Sequence, residues 1–96
     1  MELRQLHHFL AVVQAGSISG AAATLGLTQQ AVSKSVRALE ASVGVELFDR
    51  SGGRLTPNPH GTALAAKAEV IIAGVRDLET TLRSGVSDRA PRLRIG

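Results

Sequence analysis

Apolar positions recur with a helical period along most of this chain. Leu3, Leu6, Phe9, Leu10 and Val13 follow one another at helical spacing and Gly16 closes the run, which predicts a first amphipathic helix from Leu3 to Ala15. Ser17 is a capping residue for a short second helix, SISGAAATLG, whose Ile18, Ala21, Ala22 and Leu25 turn inward. Ala22 is small enough to let a crossing helix come close. After the tight connection Gly26-Leu27-Thr28 comes a third helix, from Thr28 to Gly44. Winding it at 3.6 residues per turn puts Val32, Val36, Leu39 and Val43 on one stripe and Gln29, Gln30, Ser33, Lys34 and Arg37 on another. Thr28 caps its start, and Gly44 supplies the left-handed residue that ends it. Two helices joined by a short glycine-containing turn form a helix-turn-helix, in which the second helix is the reader.

Beyond Gly44 the period shortens. VELFDR and RLTP are β-compatible runs around Ser51-Gly52-Gly53, a composition that predicts a two-stranded hairpin, or wing, anchored by Leu47, Phe48 and Leu55. Arg50 and Arg54 flank its tip. Thr56-Pro57-Asn58-Pro59 stops the second strand, and Asn58 with Pro59 starts a long helix that reaches Ser84. In that helix Leu64, Ala68, Ile71, Val75, Leu78 and Leu82 step by four and three residues, a heptad seam. A helix from Pro59 to Ser84 is roughly 39 Å long, more than a small three-helix core can cover. A second copy of the chain is the expected partner for the seam, with Glu79 and Arg83 supporting the outer face. Gly85 to Pro91 reads as a hinge, and Leu93-Arg94-Ile95 as the first strand of a further domain that this chain lacks.

Composition narrows the chemistry. The chain has 96 residues, no cysteine and a net charge of only +3, so an anion-binding role must rest on where the basic groups sit. No apolar run approaches the ~18 residues of a membrane span and no secretory leader opens the chain, so a cytoplasmic protein is expected. His7, His8 and His60 do not form a metal or catalytic constellation. His7 and His8 are adjacent and diverge on a helix, and His60 follows a proline turn, so neither an enzyme nor a bound cofactor is expected. The polar face of the third helix has side chains suited to base edges. Glutamine pairs with adenine, arginine or lysine with guanine, and serine with either. Arginines at a hairpin tip suit phosphate or the minor groove. Taken singly, each feature is also what a solvated surface looks like.

Helix-turn-helix, wing and long helix in this order resemble the amino-terminal DNA-binding domain of LysR-type transcriptional regulators. The matching residues are Leu3-Arg4-Gln5-Leu6, Phe9, Gly16-Ser17-Ile18, Ala21-Ala22, Leu25, Thr28-Gln29, Ala31-Val32-Ser33-Lys34, Leu39-Glu40, Gly44, Leu47-Phe48, Arg50 and Leu55-Thr56. The resemblance implies a mainly α winged helix-turn-helix over residues 1–58, a linker helix over 59–84 that dimerises, and a hinge at 85–96 leading to an effector-binding domain. It also implies DNA contacts at Ser17, Thr28, Gln29, Gln30, Ser33, Lys34, Arg37, Arg50 and Arg54. A small-molecule effector would act only through the missing domain, and the whole protein would form a higher oligomer on the nucleoid. Three positions depart from the family pattern. Gln30 replaces a proline, Lys34 replaces an arginine and so offers a point charge where a fork is common, and Gly20 takes a usually polar position at a cost of about 1 kcal/mol to its helix.

The reading that follows is a dimeric, sequence-specific regulator of transcription bound to a partially palindromic promoter site. The alternative is a helical dimerisation or adaptor module. It accounts for Leu64 to Leu82 but leaves the polar face of the third helix and the two wing arginines without a task.

Overall fold

The computed structural model describes residues 1–84, so the expected hinge and strand at 85–96 lie outside the described residues. Its elements are α1 (Leu3–Ala15), α2 (Ile18–Leu25), α3 (Gln29–Val43), β1 (Phe48–Asp49), a 3-10 turn (Ser51–Gly53), β2 (Thr56–Pro57) and α4 (Pro59–Arg83). The helix ends follow local chemistry. Ser17 and Thr28 accept hydrogen bonds from the Gly20 and Ala31 N–H groups, each at 3.0 Å, and so cap α2 and α3. Gly44 ends α3 at φ 80°, donating its N–H to the Glu40 carbonyl.

Leu6, Phe9, Leu10 and Val12 of α1, Ala21 and Ala22 of α2, and Val32, Val36 and Leu39 of α3 close a core with Leu47, Phe48, Ala68 and Ile72. The expected stripe on α3 is thus the buried one, with Val43 half-buried at its end. Phe9 and Phe48, the chain's two phenylalanines, meet at a centroid distance of 5.4 Å and a tilt of 55°. This contact seats the wing on α1.

The wing is shorter than its two apolar runs suggest. Only Phe48 with Pro57 and Asp49 with Thr56 pair, in antiparallel register. Pro57 has no N–H to extend the ladder, and the neighbouring backbone groups are taken by side chains and a cap. Leu47 donates its N–H to the Glu40 carboxylate at 2.8 Å, while Asn58 Nδ2 donates to the Glu46 carbonyl at 2.9 Å and Asn58 N–H to the Leu47 carbonyl at 3.0 Å. Asn58 also caps α4 by accepting the Gly61 N–H at 2.8 Å. Gly61 is buried directly against the Leu47 carbonyl, leaving no room for a Cβ. A single asparagine and a single glycine therefore join the wing to the start of α4.

The seam of α4 splits in two. Ala68 is fully buried in the core of its own domain, joined by Ile72, and so is not free for a second chain, while Leu64 is half-buried against the same core. The physical reason is the helical period: residues 64, 68 and 72 step by four and stay on the stripe facing α1. Ile71, Leu78 and Leu82 face outward with exposures of 47%, 57% and 58%, and Val70 beside them is 73% exposed. Val75 is half-buried. This outer stripe has no cover among the described residues.

Candidate nucleic-acid interface

The outer face of α3 is built by the core that holds its inner face. With Val32, Val36 and Leu39 buried, Gln29, Gln30, Lys34 and Arg37 are exposed. Arg37 Nη1 donates to Ser33 Oγ at 2.7 Å, one turn earlier, which aims the guanidinium along the helix and leaves its other donors free. The capping hydroxyls of Ser17 and Thr28 accept from the backbone and keep their own O–H to donate.

Folding brings residues far apart in sequence to one place. Ser17 at the start of α2, Ser33 and Arg37 on α3, and Arg50 and Arg54 of the wing line one open cleft of about 620 Å³. Arg54 reaches back so that its Nη2 lies 3.2 Å from where a Cβ on Gly16 would stand. The cleft thus gathers three guanidinium groups beside the amino end of α2, where backbone N–H groups and the helix dipole favour an anion. The wing tip is shaped by Asp49, whose Oδ1 accepts the Ser51 N–H at 2.9 Å and also its hydroxyl. These two hydrogen bonds hold the Asp49 carboxyl below its ordinary value, so it stays ionised. Thr28, Gln29 and Gln30 lie outside the cleft, exposed at the start of α3.

Lys34 lies on the opposite flank of α3. It lines a second cleft of about 410 Å³ with Arg4, Gln5 and His8 of α1, Leu27 of the turn, and Ala31, Ser35 and Ala38. His8 Nδ1 and Ser35 Oγ share a hydrogen bond of 2.8 Å that ties α1 to α3. Burial first, then Arg4 and His7, push the His8 pKa below its ordinary value of 6.5. Arg4 and His8, four residues apart and so on one face of α1, are basic groups that the sequence places on that helix without assigning them a contact with DNA. No three His, Asp or Glu side chains converge as a metal site among the described residues.

Comparison with known proteins bears on this arrangement. The family model for bacterial regulatory helix-turn-helix proteins of the lysR family matches residues 3–62, well over half of the chain. The uncharacterized HTH-type transcriptional regulator YeiE of Escherichia coli (strain K12) is 41% identical over 81 residues, covering 84% of this chain and 28% of that protein. The HTH-type transcriptional regulator CbbR of Rhodospirillum rubrum is 40% identical over 94 residues, covering 98% of this chain and 32% of its own. The chain therefore spans under a third of the length of these two relatives. Among solved structures, the BenM DBD in complex with catB site 1 DNA superposes with a TM-score of 0.83 at 29% identity, covering 86% of this chain and 92% of that one. Its complex with benA site 1 DNA gives the same TM-score and covers 96% of that chain.

Proposed function

Because the chain belongs to the lysR family of bacterial regulatory helix-turn-helix proteins, and is a DNA-binding domain of a transcriptional regulator, we propose that α3 reads the major groove while the cleft between α2 and the wing grips the adjoining backbone. The observation that carries this is the convergence of Ser17, Ser33, Arg37, Arg50 and Arg54 on one cleft beside the exposed Gln29 and Gln30 at the amino end of α3. Base readers and backbone holders are then separate sets of residues, as recognition requires. Gln29 and Gln30 at the amino end of α3 discriminate bases, with Thr28 beside them, and the arginines supply affinity common to all sequences.

Two copies bind one partially palindromic site, joined by the outer stripe of α4. Ile71, Val75, Leu78 and Leu82 form that seam, and the exposed Val70 extends it. An apolar stripe of this length in water is a larger patch than a monomer usually carries. In the whole protein an effector-binding domain would follow and gate activation or repression, acting in the cytoplasm on the nucleoid. No helix among the described residues is long and apolar enough to cross a membrane.

The test is selection of bound sites from random duplexes, followed by titration of Gln29→Ala and Gln30→Ala onto the selected site and onto random DNA. Each change is expected to cost about 1–3 kcal/mol on the selected site and little on random DNA. Equal losses on both would remove base reading from these residues.

A further inference from the structure

The two clefts lie on opposite sides of α3. Ser33 and Arg37 border the first, whereas Ala31, Ser35 and Ala38 border the second. A helix about 10–12 Å across fills a major groove about 12 Å wide, so both sugar-phosphate strands run along its flanks. Whatever side chains stand beyond α3 on either flank therefore meet phosphates of different strands.

We propose that Arg4, His8 and Lys34 form a second backbone clamp, which takes a phosphodiester of the strand opposite to the one held by Arg37, Arg50 and Arg54. This rests on the placement of α3 in the major groove argued above. Three observations carry it. Arg4 and Lys34 come from two different helices to the rim of one cleft, and no carboxylate lines that cleft among the described residues. Arg4 does pair with Glu2, at 3.1 Å, but both side chains are exposed, at 73% and 62%, and an exposed pair of this kind is weak enough to yield to a phosphate. His8 lines the same cleft, fixed on Ser35 and so unable to turn away without breaking a link between α1 and α3. By contrast, the groove between α1, α2 and α4 carries Glu69 beside His7 and Arg76, and offers an anion no such one-signed lining.

The groups facing His8 are Arg4 and His7 from α1 and Lys34 from α3, all basic, while Leu27 of the turn is uncharged. In free protein burial first, then Arg4 and His7, push the His8 pKa below its ordinary value. A phosphate seated in the cleft reverses the local field and favours the imidazolium, so binding takes up a proton. The added affinity is present below the free His8 pKa and fades as pH rises through its value in the complex.

The experiment measures the dependence of duplex affinity on salt, and then on pH, for the whole chain. Arg4→Gln is expected to shallow the slope of log K against log salt by about one per subunit, and Arg50→Ala at the first cleft is expected to do the same. Arg76→Gln, which removes the same charge away from both clefts, is expected to leave the slope unchanged. His8→Gln, which keeps a side chain able to bond Ser35, is expected to abolish the rise in affinity of wild type between about pH 7.5 and 5.5. An unchanged slope in Arg4→Gln alongside a shallower one in Arg50→Ala overturns the second clamp alone. Failure of wild type to bind duplex DNA with any salt dependence overturns the reading of α3 itself. Equal slopes lost in Arg4→Gln and Arg76→Gln would assign the effect to net charge and overturn the clamp as well.

Discussion

At the scale of single residues, the most constrained position is Gly61. Replacing a helical glycine by alanine ordinarily gains about 1 kcal/mol. Here the added Cβ runs into the Leu47 carbonyl, and that carbonyl is itself held by the Asn58 N–H, so it cannot retreat cheaply. The overlap dominates. Gly61→Ala is expected to lose about 1–3 kcal/mol net, read as a lower urea midpoint at unchanged slope. Gly20 has a milder version of the same reason: a Cβ there would stand 3.0 Å from both Ala15 Cβ and Ser17 Oγ, pressing on the hydroxyl that caps α2. His8 makes the fold sensitive to pH. Its folded pKa lies below 6.5, so the unfolded chain binds more protons as pH drops through that value. Stability is thus full above about pH 6.5 and declines below it. Wild type is expected to melt at a lower temperature at about pH 5.5 than at about pH 7.5, and His8→Gln to lose that part of the shift.

Elements were legible in proportion to how local their causes are. The bounds of α1 and α3 follow from caps and periodicity, and the structure places both where the pattern does. Within α1, periodicity favours Val13, which is half-buried, over the adjacent Val12, which is wholly buried. The wing was legible as a hairpin but not in extent, because Glu40 and Asn58 take its backbone groups from 7 and 12 residues away. On α4 the heptad spacing was visible, but which part of it the domain keeps was not. Ala68 and Leu64 turned inward with Ile72, a packing fact that spacing alone does not contain. The remaining outer stripe predicts its own test. Ile71→Asp would place an unpaired carboxylate within a dimer interface, at a cost of several kcal/mol. Sedimentation is expected to show dissociation, and affinity for a full site to fall toward that for a half site. A mutant that stays dimeric would mean that the copies meet elsewhere.

For the whole molecule, the candidate site is an assembly of parts that sequence spacing separates widely. Ser17, Arg37 and Arg54 share a cleft only because α1 and the Phe9 to Phe48 contact bring the start of α2 and the wing to the same side of α3. Composition and periodicity give Arg37 and Arg54 a type of contact, and the resemblance alone gives one to Ser17. Their convergence came from the resemblance to a family and then from the fold. The central claim is that one continuous surface, and no other, meets DNA. Amide chemical-shift mapping during titration with a selected duplex tests it most directly. The expected perturbations cluster at Arg4, His8, Ser17, Thr28 to Ser33, Lys34, Arg37, Arg50 and Arg54, and leave the groove around Glu69 and Arg76 undisturbed. Perturbations centred on α4 with α3 and the wing silent would contradict it.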